Sequence, residues 1–255
     1  MKKDKILNYF EKEAKVGNWV SLYNPDNPKS YSFIVRLQKT LNLLKDIKEK
    51  KICDLGCGTG VLIPYILEKK GKYTGIDFSK EMLNKIKSKY STEISNGQIN
   101  LLLSDFKDID ENKTYDVMIG LGFIEYFEDP EKILNKLYKM IPESGSLILS
   151  FPNINSFDFT MIRMLTVLRF LAKRIFNLGS PNPPRKMWSK KNACKLLSRA
   201  GFKNFHIENY EINIFVYPFT VLFPKLATFI TKRLEYTWLS KVNFFANGFI
   251  ISVKK

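Results

Sequence analysis

Histidine and cysteine are nearly absent from this chain. One histidine (His206) and three cysteines (Cys53, Cys57, Cys194) serve 255 residues, and no two cysteines stand in C-x-x-C spacing. That supply is too poor for a zinc site or a disulfide framework, and it suits a reducing cytosol. Long apolar runs are missing as well. None reaches the roughly 18–20 residues needed to cross a bilayer, so no transmembrane helix is expected. The opening stretch MKKDKILNYFEKEAKVGNW is charged throughout and lacks the apolar centre of a signal peptide. Acids are the next shortage: 41 Lys and Arg face 25 Asp and Glu, a net charge of +16. The imbalance is local. From Phe159 to Lys203 there are eleven Lys or Arg and no acid. A solvated lysine-rich surface accounts for most basic proteins, but a one-sign segment also attracts phosphate, anionic lipid or nucleic acid. No RNA-binding module or recognition-helix pattern accompanies the charge, so nucleic acid is not indicated as a partner.

A hydrophobic fraction of 45% with 20 Phe and 12 Tyr suits a packed core and argues against disorder. The length fits one large α/β domain with decorations or two small domains. From residue 51 onward, short apolar runs alternate with helical spacing. KICDL (51–55), KYTGID (72–77), INLLLSD (99–105), YDVMIGL (115–121) and SLILSFP (146–152) read as strands. Helices are expected around 61–70, after a Ser79 cap with Glu81 in the first turn, and over DPEKILNKLYKMI. Strands alternating with helices imply right-handed βαβ units and a mostly parallel sheet.

In such a sheet a ligand sits beyond the carboxyl ends of the strands. The first strand runs into DLGCGTG, and glycines there let the backbone turn sharply and approach a ligand closely. The spacing Gly56-x-Gly58-x-Gly60 is one residue shorter than the dinucleotide fingerprint G-x-G-x-x-G, and no phosphate-loop motif G-x-x-x-x-G-K-[ST] occurs. A plain tight turn would also use these glycines. Three further positions add weight: Asp77 ends strand two, Ser104-Asp105 end strand three, and GLGFIEYFEDP follows strand four.

That set resembles the class I S-adenosylmethionine-dependent methyltransferases. DLGCGTG is similar to their first motif, GIDFSKEML to the second-strand acid, LLLSDF to the third, and residues 115–153 to the fourth-to-fifth-strand block. The likeness covers roughly residues 50–153, with weaker echoes at WSKKNACKLLSRAGF and FANGFIISVKK. It implies a Rossmann-like, seven-stranded sheet of order 3-2-1-4-5-7-6 with helices on both faces and the last strand antiparallel. Strand six would lie near 203–210 and strand seven near 248–253, with more than thirty residues inserted between them. The domain would span 49–255, behind an N-terminal helical cover (1–48), with substrate-cap insertions at about 154–187 and 211–246.

The resemblance also implies the cofactor, S-adenosyl-L-methionine, and its contacts. Asp77 would accept both ribose hydroxyls, a task suited to a carboxylate with two acceptor oxygens. Asp105 would accept from the adenine amino group, with the Phe106 N–H at the ring edge. Phe78 and Met82 would pack on the adenine faces; Ser104 and Leu121 fall in the same motifs. Asp54 and the backbone of Gly56, Cys57, Gly58, Thr59 and Gly60 would hold the methionine part. For Asp77 and Asp105 the competing reading is a helix cap or turn. Arg36 could pair with the methionine carboxylate, since a guanidinium meets a carboxylate bidentately, or stand as an exposed helical arginine.

Methyl transfer from a sulfonium requires in-line approach and exclusion of water, and the motifs dictate no general base. Tyr126, then Glu125 and His206, are the candidates to contact the acceptor. Two segments resemble substrate caps. One is a basic amphipathic helix through 161–176, with Arg163, Arg169, Lys173 and Arg174 on one side; the other is INIFVYPFTVLFPKLATFI, interrupted by Pro218 and Pro224. Together they suit a small or lipid-like acceptor with a greasy part and an anionic part, or docking at an anionic membrane surface; extra core is the plainer alternative. O-methylation is slightly favoured over C- or N-methylation. The expected setting is the cytoplasm, peripheral at a membrane. A catalytically silent protein that binds S-adenosylmethionine remains the alternative function, and the oligomeric state is open.

Overall fold

Residues Lys51–Leu55 form β1, and all but the first are buried. Alternation sends Cys53 and Leu55 into one apolar layer and Ile52 into the other, as expected of a strand covered on both faces. The computed structural model describes residues 3–27, 30–44, 46–164, 185–215 and 219–255. The basic stretch around Arg169, Lys173 and Arg174, and Pro218, lie outside the described residues.

Strand β2 (Lys72–Asp77), β3 (Ile99–Leu103), β4 (Val117–Gly120) and β5 (Ser146–Pro152) run parallel to β1. β6 (Lys203–Ile212) and β7 (Ala246–Lys254) complete a seven-stranded sheet of order β3-β2-β1-β4-β5-β7-β6. β7 is antiparallel to both neighbours. The strand order and reversal match the expectation, and β6 and β7 begin and end within two residues of the predicted bounds.

Three helices precede the sheet: α1 (Lys3–Val16), α2 (Asn18–Ser21) and α3 (Tyr31–Leu43). Then come α4 (Ile63–Glu68), α5 (Lys80–Lys89), α6 (Ser91–Ser95) and α7 (Pro130–Met140). The later ones are α8 (Phe157–Met164), α9 (Lys190–Arg199), α10 (Phe219–Leu222) and α11 (Pro224–Leu234). Three helix starts are fixed by side-chain caps. Ser79 Oγ accepts from Met82 N, Asp129 from Lys132 N with Pro130 at the first position, and Ser189 from Asn192 N. Ile133, Leu134 and Leu137 of α7, with Ala193 and Leu197 of α9, pack against Leu147 and Leu149 on one face of the sheet. Val35, Ile63, Ile66, Leu83 and Ile86 cover the other. Among the described residues no helix is long and apolar enough to cross a membrane.

Candidate active site

The loop after β1 is hooked onto β2: Gly56 N and Cys57 N both donate to Ile76 O, at 2.8 and 3.1 Å. The turn then requires left-handed backbone at Gly58, φ +52°, where a side chain would also strain. A Cβ there would stand 3.1 Å from Trp19 Nε1, so glycine lets the N-terminal cover close directly on the loop. Gly58 N donates to Asp77 Oδ2 at 2.8 Å, and Ser79 N donates to Asp77 Oδ1 at 2.8 Å. The carboxylate at the end of β2 is thereby held by the end of β1 and by the start of α5.

These elements border a cavity of about 290 Å³ beyond the carboxyl ends of the first four strands. Gly56 and Gly58 contribute from β1, and Asp77, Phe78 and Met82 from β2 and α5. Ser104, Asp105 and Phe106 contribute after β3, and Leu121 and Tyr126 after β4. The cover supplies Ile6, Phe10 and Trp19. Phe10 makes edge contacts with Trp19 (5.2 Å), Tyr126 (5.6 Å) and Phe78 (6.1 Å), joining the cover to both sides of the cavity. Trp19 leans in turn on Phe33 of α3, at 5.8 Å.

Several expected site residues do not line this cavity. Asp54 is buried behind it, where Tyr73 OH donates to its Oδ2 at 2.9 Å. Cys57, Thr59 and Gly60 shape the loop without reaching the wall. Arg36 lies just outside: a Cβ on wall residue Gly122 would stand 3.3 Å from its Nη1. Glu125 is buried beside it. His206 is on edge strand β6, exposed and 3.0 Å from Glu208 Oε1. The structure does not bring His206 to the cavity, because the edge strand lies across β7 and β5 from the strands that border it. Sequence reasoning also missed wall residues Ile6 and Phe10. Their signal is the spacing Ile6, Phe10, Ala14, one stripe of α1 that turns inward.

Burial shapes the electrostatics. It raises the Asp54 carboxyl from 3.8 to about 7 against the Tyr73 hydrogen bond, with Asp77 adding to the rise. Burial likewise raises Asp77 to about 6, although the Ser79 and Gly58 N–H groups favour its charged form. Burial makes both acids costly to keep ionised. A second polar cluster adjoins the wall. Burial works against the Arg36 charge, but Tyr23, Tyr210 and Glu125 around it outweigh that and hold its pKa up. Burial raises Glu125, with Arg36 and Arg185 pulling the other way. Among the described residues, Arg36 Nε and Glu125 Oε2 are buried without a hydrogen-bond partner.

A parallel sheet with its order reversal beside β1, a glycine loop at that point and a buried acid on the neighbouring strand define a Rossmann-like nucleotide-type site. Residues 31–207 match the family described as "Methyltransferase domain", and the chain belongs to that family. It is 29% identical over 155 residues to "Ubiquinone biosynthesis O-methyltransferase" from Rickettsia bellii, covering 57% of this chain and 62% of that protein. It is 26% identical over 135 residues to "Malonyl-[acyl-carrier protein] O-methyltransferase" from Priestia megaterium, covering 49% of this chain and 48% of that protein. The chain therefore matches less than two thirds of either relative's length. In fold it is similar to magnesium protoporphyrin IX methyltransferase from Synechocystis PCC 6803, solved with bound SAH. There the TM-score is 0.65 at 16% identity, with 99% of both chains covered.

Proposed function

We propose that this member of the methyltransferase family moves a methyl group from S-adenosylmethionine to an oxygen of a small acceptor that joins an apolar part to an anionic part. The observation that carries the reading is the buried Asp77 carboxylate at the end of β2, walled by glycine backbone and closed over by Phe10 and Trp19.

The residues present fit the cofactor. The Gly58 cradle would be filled by any Cβ, and a carboxylate carries roughly four lone-pair sites, so Asp77 keeps acceptor capacity for two hydroxyls beyond its backbone bonds. Asp105, half-buried at the start of a 3-10 turn and on the cavity wall, would accept from the adenine amino group, with the Phe106 N–H at the ring edge. Phe78 and Met82 supply apolar faces. Arg36, against the wall at Gly122, has a buried donor to offer the methionine carboxylate. Bound S-adenosylmethionine supplies an electrophilic methyl on its sulfonium. The chain's own part is to orient the acceptor and exclude water, for which the Phe10–Trp19–Tyr126 aromatic cover is suited.

Tyr126 is the wall residue nearest in kind to an acceptor contact. Burial and the neighbouring Glu125 push its pKa up, so the phenol stays protonated and acts as a hydrogen-bond donor, not as a base. Glu125, buried outside the wall with its carboxyl raised, would act on the acceptor only indirectly, through the electrostatics around Tyr126 and Arg36. Oxygen as the methylated atom is supported by the two relatives named as O-methyltransferases. The apolar-anionic acceptor and a peripheral membrane setting are supported by the basic and aromatic insertions. Tyr126→Phe tests the site: acceptor KM should rise while donor affinity holds. An unchanged rate and KM with the true acceptor would remove Tyr126 from the site.

A further inference from the structure

Resting on that lipid-associated reading, we propose that α10 and α11, inserted between β6 and β7, form the surface by which the protein docks on an anionic membrane. Four large apolar side chains there face solvent: Leu222 is 64% exposed, Phe223 53%, Leu226 49% and Phe229 52%. Just past the helix, Tyr236 and Trp238 are more exposed still. Scattered single apolar residues on a surface need no explanation, but a contiguous group of this kind marks a binding face.

The arrangement of α11 shows that the outward turn is built in. Its buried residues, Ala227 and Thr231, are four apart, and Glu235 continues the same stripe just past the helix end. β6 lies against this inner face, and Tyr31 of α3 reaches it. Glu235 is the mount. Its Oε2 accepts from Tyr31 OH and from Ile212 N, each at 2.9 Å, and Lys39 Nζ stands 2.5 Å from its Oε1. Tyr31 OH also donates to Thr231 O at 3.2 Å. With small and polar residues tied inward, Leu226, Phe229 and Arg233 are left facing out.

Charge names the occupant. Residues 212–234 hold Lys225, Lys232, Arg233 and no acid. The Arg233 guanidinium lies 4.4 Å from the Phe229 ring centroid, so its stem runs along the apolar face while its charge stays at the rim. A second copy pairing through the same face would set these cations against themselves. The basic stretch holding Arg169, Lys173 and Arg174 would meet the same repulsion as a cover. An anionic lipid surface offers what the face lacks, in the right order of depth: negative headgroups for the cations, then acyl chains for Leu226 and Phe229.

Flotation with vesicles of phosphatidylglycerol and phosphatidylcholine, against phosphatidylcholine alone, tests this at low and high salt. Wild-type protein should float with the mixed vesicles only, and less at high salt. Leu226→Ser/Phe229→Ser and Lys225→Glu/Lys232→Glu/Arg233→Glu should each weaken partitioning about tenfold or more. Arg169→Glu/Lys173→Glu/Arg174→Glu should weaken it less. The proposal is overturned if wild type does not float, or if the α11 variants float as it does. It is also overturned if the serine pair instead abolishes concentration-dependent self-association in sedimentation, which assigns the face to a second copy. S-adenosylmethionine titration on the same variants separates the two readings. Retained donor binding with no docking refutes this surface alone, whereas a wild type that docks but binds no donor refutes the methyltransferase reading.

Discussion

Replacing Asp77 with asparagine separates charge from shape at the centre of the site. The wild-type carboxylate accepts from Gly58 N and Ser79 N, both at 2.8 Å. An asparagine amide can accept from only one of them and turns its NH2 toward the other, leaving a buried donor unsatisfied at a cost of ~1–3 kcal/mol. Against this, burial raises the carboxyl from 3.8 to about 6. By linkage that rise corresponds to ~3 kcal/mol of destabilisation at neutral pH, which the neutral amide relieves. The two effects nearly cancel, so the stability of Asp77→Asn should lie within about 1–2 kcal/mol of wild type by urea unfolding at pH 7.5. Donor binding has no such compensation. One ribose hydroxyl loses its acceptor, and titration calorimetry with S-adenosylmethionine should show affinity lower by ~1–3 kcal/mol, about 5–150-fold. A variant that is as stable as wild type and binds the donor within twofold would refute the reasoning.

Other perturbations probe the surrounding shell. Asp54 is raised from 3.8 to about 7, so the folded state binds its proton more tightly than the unfolded one, and stability falls as pH rises through that interval. Asp54→Asn should flatten that fall, gaining up to ~4 kcal/mol on wild type between pH 4 and 8 in urea unfolding; parallel profiles would contradict it. Phe10→Ser removes three edge contacts worth ~0.5–1.5 kcal/mol each from the cover, so the melting temperature should fall by several degrees and donor affinity should drop about tenfold. Affinity at the wild-type level would show that the cover does not close on the cofactor. Glu235→Ala leaves the Lys39 charge without its carboxylate and Ile212 N without its acceptor, and should cost ~3–5 kcal/mol in unfolding free energy; a loss under 1 kcal/mol would dismiss it as the mount of α11.

The sheet was legible because its strands are short, apolar and punctuated. Each of KICDL, KYTGID and SLILSFP appears with the bounds read from the sequence. Asp77 and Asp105 were legible for the same reason: a polar residue ending an apolar run lies at the strand's carboxyl end, where the cavity forms. Asp54 shows the limit of that logic. It also ends such a run, but its side chain turns to Tyr73, nineteen residues on, away from the cavity. His206 could not be positioned from the sequence, since chemical usefulness says nothing about which strand is at the edge. The Arg36–Glu125–Tyr210 cluster was not legible as a unit, because its members come from α3, the turn after β4, and β6. Glu235 was equally hidden: its partners Tyr31 and Lys39 lie about two hundred residues away, and only the fold brings them together.

Methyl transfer itself is read by following isotopic label from methyl-labelled S-adenosylmethionine, with extracted lipids and soluble metabolites offered in parallel. Label should appear in an oxygen-linked methyl group of an acceptor with apolar and anionic parts, with turnover reduced in Asp77→Asn as donor affinity falls. Tight donor binding with no transfer to any acceptor in either set would contradict it, and would leave a protein that binds the methyl donor without using it.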